Sequence, residues 1–319
     1  MLCGVSRIGA NATTPEVVTR SDACRLVSAS RLDLASSVQS GQLQSLDWHP
    51  TIVDNQVSTA IYGRSMSQSE ETFYDDMASS YHLIFDDWDK AIERQRAVLV
   101  PLMAAPDVLG TILDCACGIG TQALGLALAG YDVEGTDISN TEVERAVREA
   151  ALRNLDVKFR VDDMRLLSTC KEQHYGTVVA FDNAIPHLDS DEEVAKALAA
   201  MLRSLRARGK VFVSLRDYGT LLTQRPTVLS PSLFIDNGLR RIVHQVWDWQ
   251  DARRYTVHLY ITRQTNSLGW QSNHFVGRYR AITPDEVATL AARVGFNDVQ
   301  VLSPTVTGYY QPIVTATAP

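Results

Sequence analysis

A glycine-containing turn follows a short apolar run in the stretch DCACGIGT, residues 114–121. Glycines at such a position let the backbone turn sharply into a helix and approach a ligand closely. Gly118, Gly120 and Ala123 also fit the G-x-G-x-x-A pattern of dinucleotide-binding turns. The turn therefore predicts a site for a nucleotide-containing cofactor, with Cys117 and Gly118 among its contacts.

Asp114 distinguishes between two classes of cofactor. A carboxylate four residues before the turn faces a pyrophosphate badly, but it suits a ligand that carries an ammonium and a sulfonium. S-adenosylmethionine carries both groups. The pattern favours that cofactor over NAD or FAD, and a dinucleotide-dependent oxidoreductase stays as an alternative, without an evident Tyr-x-x-x-Lys proton donor.

Two further acidic residues end the next predicted strands. Asp137 lies 19 residues after Gly118, where its carboxylate can accept hydrogen bonds from both ribose hydroxyls while Ile138 covers one face of the adenine. NAD would use the same aspartate. Asp163 can accept from the adenine amino group, and the backbone N–H of Met164 can donate to the ring. A helix cap and core packing are the alternative roles for these two residues.

The segment AFDNAIPHL, residues 180–188, follows the fourth predicted strand. It differs from the Asp/Asn-Pro-Pro-aromatic motif that holds planar amides and nucleobase amines, which argues against methylation of nucleic-acid bases. Asn183 and His187 can hydrogen-bond a substrate or cofactor; His187 could instead cap a backbone carbonyl. We expect His187 to support the geometry rather than to remove a proton.

A cation is predicted beside the same cleft, in the segment SLRDY. Arg216 could anchor an anionic or carbonyl-bearing substrate, or it could pair with Asp182 or Asp217. Tyr218 could help Asn183 to position the nucleophile.

Strands and helices alternate through the middle of the chain, which predicts a doubly wound, mostly parallel sheet of the Rossmann-like α/β class. The expected strands are residues 111–116, 131–138, 157–163, 177–183 and 210–218, with closing strands near 298–302 and 310–316. Capping boxes are expected at Thr141 and Glu144 and at Ser190 and Glu193.

Residues 219–280 interrupt this alternation. Asp236-Asn237-Gly238 is a hairpin signal, and the flanking segments alternate as half-buried strands do. They predict an antiparallel β insertion that could act as a lid. Its aromatic residues, with two tyrosines near the C-terminus, leave room for a flat heteroaromatic: Trp247, Trp249, Trp270, Tyr309 and Tyr310.

The N-terminal part divides into two regions. Residues 1–66 are rich in Ser, Thr and Ala and show little periodicity, which predicts a disordered leader or a misassigned start. Residues 67–319 are expected to form the folded domain. Its first segment, from Ser69 to about Met103, is helical in pattern with an aromatic stripe, and Trp88 on that stripe could contact the cofactor or simply pack.

The composition and charge of the chain limit the classes of partner that it is expected to bind. The formal net charge is −7 and Lys and Arg are not clustered, which argues against a nucleic-acid surface and favours a small-molecule substrate. No apolar run is long enough to span a membrane, and no metal-ligand cluster is evident. Five cysteines without a disulfide pattern indicate a cytoplasmic protein. A homo-oligomer remains open.

Together the segments DCACGIGTQ, TDIS, DDM, DNAIPHL and SLRDY resemble the glycine and sarcosine N-methyltransferase branch of class I methyltransferases. The resemblance covers roughly residues 70–319. It implies that the cofactor pocket is lined by Ala116, Asp137, Asp163, Met164 and Phe181. It also implies that Asn183 and Arg216 hold an amino-acid substrate, with His187 near the methionine end of the cofactor.

The expected function is S-adenosylmethionine-dependent methylation of a small molecule, and the resemblance implies that the acceptor is a nitrogen. The acceptor is an amino acid such as glycine or sarcosine, or a ring nitrogen of a heteroaromatic metabolite. A module that binds the cofactor without catalysis is a further alternative.

Overall fold

The computed structural model describes residues 70–319. The predicted leader, residues 1–66, lies outside the described residues.

Eleven strands form two sheets in this part of the chain. Their bounds are β1 Ile112–Asp114, β2 Val133–Asp137, β3 Lys158–Val161, β4 Tyr175–Ala180, β5 Leu205–Ser214, β6 Ser232–Asp236, β7 Leu239–Trp249, β8 Arg254–Gln264, β9 Trp270–Arg280, β10 Asn297–Leu302 and β11 Ile313–Thr317. The larger sheet has the order β10-β11-β5-β4-β1-β2-β3, in which β11 runs antiparallel to the other six strands. The mostly parallel, Rossmann-like sheet that the sequence predicts is confirmed.

Helices cover both faces of this sheet. The helices are α1 Glu70–Met77, α2 Trp88–Leu99, α3 Pro106–Leu109, α4 Thr121–Leu128, α5 Asn140–Leu152, α6 Asp191–Ser204, α7 Tyr218–Gln224, α8 Pro284–Val294 and α9 Pro304–Thr307. Neighbouring strand residues point to opposite faces. Leu113 therefore packs in a core with α6, while Ile112 packs in a second core with α4. The sheet is buried on both sides, and only the ends of its strands can present a site.

The smaller sheet is an antiparallel meander, β6-β7-β8-β9. A two-residue turn joins β6 to β7, and both turn residues, Asn237 and Gly238, have positive φ angles of 51° and 83°. Two consecutive positive φ angles are typical of the hairpin turn that Asn-Gly favours, as the sequence predicts. The inner face of this sheet packs against α1 through Phe73 and Met77.

The helical segment predicted from Ser69 to Met103 is broken in the structure. α1 ends at Met77, a single 3-10 turn follows at Tyr81–Ile84, and α2 begins at Trp88. Arg241 from β7 explains the break. Its guanidinium, 3% exposed, binds Asp236 and donates to the backbone carbonyls of Leu83, Phe85 and Asp86, which a continuous helix would have used internally.

Other boundaries differ by a few residues. The fifth strand was predicted as 210–218, but β5 ends at Ser214 because Asp217 caps a new helix by accepting from Thr220. Tyr218 thus begins α7 instead of ending a strand. At α5 the capping residue is Ser139, which accepts from Glu142, so the predicted pair Thr141 and Glu144 is wrong by two residues.

No helix in the described residues is long and apolar enough to cross a membrane. The same part of the chain holds no group of three or more metal-ligating side chains.

Candidate active site

The glycine turn has the backbone geometry that its sequence predicts. After β1 ends at Asp114, Gly118 and Gly120 have φ angles of 51° and 96°, and α4 begins directly afterwards at Thr121. A Cβ atom at Gly118 would lie 3.2 Å from Glu142 Oε2. Both the left-handed backbone and this narrow space explain why glycine occupies the position.

A cavity opens at this turn, at the carboxyl ends of β1, β2 and β4, and we call it the glycine-turn cavity. Eight of the ten predicted cofactor contacts line it: Ala116, Cys117, Gly118, Asp137, Ile138, Asp163, Met164 and Phe181. Other side chains in the lining are Tyr74, Tyr81, Gln122, Glu142, Arg165, Asp182 and His187. The position is the one where open α/β sheets bind ligands.

Asp137 is fixed by the backbone around it. Its Oδ2 accepts the N–H of Gly118 at 2.8 Å and its Oδ1 accepts the N–H of Ser139 at 3.0 Å. An ionised carboxylate has about four acceptor positions, so two remain for a ligand. Asp137 can therefore accept two ribose hydroxyls, as its position at the end of β2 predicts.

Asp163 is held by an ion pair inside the same cavity. Arg165 donates from Nε and Nη2 to its carboxylate, at 2.9 and 2.6 Å, and also pairs with Glu193. This pairing was not predicted from the sequence. The carboxylate keeps some acceptor capacity for an adenine amino group, but Arg165 shares it.

Two of the predicted cofactor contacts lie outside the cavity lining. Asp114 is 1% exposed beneath the turn, and burial raises the pKa of its carboxyl to about 8. Its Oδ2 has no hydrogen-bond partner among the described residues. Trp88 donates to Thr121 at 3.0 Å and packs in the core, and the guanidinium groups of Arg145 and Arg153 lie 5.4 and 5.0 Å from its ring centroid.

The charges of the glycine-turn cavity indicate what it can hold. Its acidic lining residues are Asp137, Glu142, Asp162, Asp163 and Asp182, against one cation, Arg165, which is already paired. Glu142 was not predicted. Its carboxyl is 1% exposed, burial and then the charge of Asp137 raise its pKa, and Oε1 has no partner among the described residues. Such a lining repels a pyrophosphate and suits a cationic nucleoside such as S-adenosylmethionine.

A second cavity adjoins the first, and we call it the aromatic cavity. Three residues line both cavities: Tyr74, Tyr81 and Asp182. The other aromatic rings that line the second are Phe73, Phe85, Trp247, Tyr279 and Tyr310. Because α1 carries Phe73 and Tyr74, this helix lies over both cavities.

Arg216 lines the aromatic cavity as a half-buried cation. Its guanidinium lies 4.8 Å from the ring centroid of Trp247, and Nη2 is 3.4 Å from Gln245 Oε1. It forms no ion pair with a carboxylate of the described residues. The alternative pairing with Asp182 or Asp217 is therefore wrong, and the guanidinium is available for an anionic group.

Asn183 lines the aromatic cavity, whereas Tyr218 lies outside the lining. The Oδ1 of Asn183 accepts the N–H of Arg216 at 3.1 Å, and its Nδ2 has no partner among the described residues. Tyr218 is fully buried and its hydroxyl pairs with that of Tyr255 at 2.7 Å. Because Tyr218 lies outside the lining of both cavities, its role in positioning the nucleophile stays a prediction.

His187 lies in the glycine-turn cavity, next to the shared residues. A hydrogen bond of 2.7 Å joins its Nε2 to the hydroxyl of Tyr74, and its ring lies 4.1 Å from that of Tyr279. Burial lowers the pKa of His187 to about 4. The imidazole is therefore neutral near pH 7.

This pKa makes stability depend on pH. The unfolded chain binds a proton at His187 below about pH 6.5, whereas the folded protein does so only below about pH 4. Stability from this residue is thus lost as the pH falls from 6.5 towards 4. We expect the unfolding free energy of wild type to fall by about 1.4 kcal/mol between pH 7.5 and 5.5 from this group.

Urea unfolding at the two pH values measures this change. The variant His187→Gln keeps an acceptor for Tyr74 and should lose the His187 part of the pH dependence. An equal fall of the unfolding free energy in the variant and in wild type would contradict the assignment of this pH dependence to His187.

Asp182 is the main site residue that the sequence analysis did not select. It follows β4, and both it and Asn183 have left-handed φ angles, 56° and 72°. Such conformations cost about 1–3 kcal/mol each in non-glycine residues and concentrate at functional sites. Its position directly before Asn183 was the available signal.

The predicted aromatic residues separate into different environments. Trp247 and Tyr310 line the aromatic cavity, whereas Trp270 is 43% exposed. Trp249 donates to the carbonyl of Pro226. Tyr309 packs behind Phe181 and donates to Asp182.

Comparison with known proteins adds independent information. Residues 112–209 match the sequence model of a family described as a methyltransferase domain. A glycine/sarcosine N-methyltransferase of Aphanothece halophytica is 22% identical over 177 residues, which are 50% of this chain and 66% of that protein. One from Parasynechococcus marenigrum is 24% identical over 237 residues, which are 68% and 82%. The chain thus spans just under two thirds of the first relative.

Solved structures share the fold. DesVI of Streptomyces venezuelae superposes with a TM-score of 0.63 at 18% identity, over 76% of this chain and 99% of that one. The sugar N-methyltransferase KedS8 from a Streptoalloteichus species has a TM-score of 0.57 at 16% identity, over 82% and 97%. At these identities the likeness is one of fold.

Proposed function

We propose that this chain, which belongs to the S-adenosylmethionine-dependent methyltransferases, transfers the methyl group to a nitrogen of a small molecule that also carries an anionic group. The family membership excludes the dinucleotide-dependent alternative. The names of the two sequence relatives and of KedS8 support nitrogen as the acceptor.

One observation supports the anionic group above others. Arg216 is a half-buried cation without a carboxylate partner among residues 70–319, in an aromatic cavity that adjoins the cofactor cavity. A guanidinium in a largely apolar environment is costly unless an anion accepts from it. Its planar donors suit a carboxylate or phosphate. The surrounding rings favour an acceptor with a flat or apolar part.

Different residues of this chain have different roles in the proposed reaction. S-adenosylmethionine supplies an electrophilic methyl group on a sulfonium, and the acidic lining of the glycine-turn cavity suits its charge. Arg216 orients the acceptor by its anionic group, and Asn183 Nδ2 offers a hydrogen-bond donor beside it. His187 is neutral and holds Tyr74, and its lowered pKa makes it a weak base, so we expect it to support geometry rather than to remove a proton.

A screen for product tests the proposal. The purified chain is incubated with S-adenosylmethionine and single acceptors, and S-adenosylhomocysteine formation is followed. The panel contains glycine, sarcosine, amino sugars, and azaheterocycles with and without a carboxylate. We expect turnover with acceptors that carry a nitrogen and an anionic group, and mass spectrometry should locate the methyl group on nitrogen.

Three outcomes would contradict the proposal. A methyl group found on oxygen or carbon of the product would show that the acceptor atom is not nitrogen. A preference for neutral analogues over carboxylated ones would contradict the proposed binding of an anionic group by Arg216. Binding of S-adenosylhomocysteine without turnover of any acceptor would favour a non-catalytic binding module.

A further inference from the structure

Asp182 lies where the two cavities meet. Of the three residues that line both cavities, Tyr74 and Tyr81 are phenols and Asp182 is the one carboxylate. In the proposed reaction the acceptor nitrogen must approach the methyl group at this junction. The charge of Asp182 is therefore close to the reacting atoms.

Hydrogen bonds from three neutral side chains hold this carboxylate. Its Oδ1 accepts from the hydroxyls of Tyr309 and Tyr310, the latter at 2.6 Å, while Oδ2 accepts from Nε2 of Gln122. An ionised carboxylate offers about four acceptor positions, two on each oxygen. Oδ1 is thus fully used, and one position remains on Oδ2.

No cation of the described residues forms an ion pair with Asp182. The aromatic cavity is therefore lined by a cation, Arg216, and two carboxylates, Asp182 and the exposed Asp217, which caps α7. Neither Asp182 nor Arg216 has a charged protein partner in the described part of the chain. A half-buried carboxylate of this kind favours a ligand that brings a positive charge.

We propose that Asp182 Oδ2 accepts a hydrogen bond from the methyl-accepting nitrogen and stabilises the positive charge that develops on it. This inference rests on the proposed N-methyltransferase function and adds a catalytic residue to it. The nitrogen lone pair forms the N–C bond while the C–S bond breaks and its electron pair passes to sulfur. The nitrogen becomes positively charged with its N–H directed at Asp182, and the proton leaves afterwards to solvent.

The two strained residues support this role. Asp182 and Asn183 both have left-handed backbones, and Asn183 Oδ1 accepts from the backbone of Arg216. The groups proposed to hold the two ends of the acceptor are thus connected through adjacent residues. Their separation would fix which nitrogen of an acceptor lies at the methyl group.

A ligand that needs no knowledge of the acceptor can test Asp182. In sinefungin an amine-bearing carbon replaces the methylsulfonium of S-adenosylmethionine, so its ammonium lies where the transferred methyl group would be. Isothermal titration compares sinefungin with S-adenosylhomocysteine at pH 7.5. We expect wild type to bind sinefungin about tenfold more tightly, because its ammonium lies next to the position of the acceptor nitrogen and is attracted by the Asp182 carboxylate.

The variant Asp182→Asn should bind the two ligands with similar affinity and keep its affinity for S-adenosylhomocysteine, since asparagine retains an acceptor for the tyrosines. Asp217→Asn is the matched control. Asp217 lines the same cavity and caps α7, a role that asparagine can also fill, and the variant should keep the preference for sinefungin.

The inference is overturned if wild type shows no preference, or if Asp182→Asn keeps it. It is also overturned if Asp182→Asn weakens the binding of S-adenosylhomocysteine by about tenfold while the preference for sinefungin is unchanged. Asp182 would then contribute to binding of the cofactor instead. In each of these cases N-methylation can still stand. Wild type that binds neither ligand would overturn the proposed function and this inference together.

Discussion

Replacing Asp137 with alanine is expected to raise the Kd for S-adenosylhomocysteine by about 100-fold or more. Two acceptor positions for ribose hydroxyls are lost, and each hydrogen bond to a charged group contributes about 1.5–3 kcal/mol. The sum corresponds to about two to four powers of ten in affinity. In addition, the N–H groups of Gly118 and Ser139 lose their acceptor, so the glycine turn becomes less well defined.

Calorimetric titration measures this loss, and Asp132→Ala is the control. Asp132 is an exposed carboxylate at the opposite end of the same strand, where it accepts from Thr111. Its removal deletes the same charge and should leave the Kd within about twofold. If Asp137→Ala still binds with wild-type affinity while folded by thermal unfolding, the assignment of the ribose site is wrong.

Replacing Arg216 with alanine should raise the KM for the anionic acceptor by about 100-fold, with the Kd of S-adenosylhomocysteine within about twofold of wild type. Truncating one partner of a buried charge pair costs about 2–5 kcal/mol, partly because the other charge stays unpaired. The cofactor should be little affected, since Arg216 lines only the aromatic cavity.

Two variants refine this test. Arg216→Lys keeps the charge but loses the planar group that lies over Trp247 and should recover only part of the affinity. Arg225→Ala is the matched control, because Arg225 lies 4.6 Å from the ring of Trp249 outside the cavity. A KM that rises equally in Arg225→Ala and Arg216→Ala would indicate a structural effect on the β insertion.

The central sheet could be predicted from the sequence because its signals are local. Apolar strands alternate with capped helices, and the acidic residues at the ends of β1, β2 and β3 mark one edge of the sheet. Asp137, Met164 and Asn183 accordingly lie near the cavities. Their positions depend on a strand end and a sheet order, both of which follow from periodicity and connection rules.

The remaining part of the site depends on contacts between distant residues. Asp182 is held by Tyr309 and Tyr310, 127 and 128 residues later in the chain, and nothing local to β4 indicates them. Likewise, Trp88 lies on the predicted stripe, but the rotation of α2 is fixed by Thr121 and two arginines, which turn the ring into the core. The burial of Asp114 likewise depends on contacts between distant residues, so it could not be predicted from the local sequence.

The break between α1 and α2 shows how a distant residue overrides local propensity. The sequence of residues 69–103 favours a helix throughout, and its periodicity is correct within each of the two helices. A buried arginine from the antiparallel sheet binds the carbonyls of the intervening segment instead. Such competition for backbone carbonyls cannot be predicted from the sequence of one segment alone.

Tyr74 and Tyr81 line both cavities, and this sharing has a thermodynamic consequence. Fixing these rings for one ligand changes the conformational freedom that remains when the second ligand binds. By linkage, the factor by which the cofactor changes the affinity for the acceptor equals the factor by which the acceptor changes the affinity for the cofactor. We therefore expect these two rings to contribute to any cooperativity between the two ligands, and to do so equally in both directions.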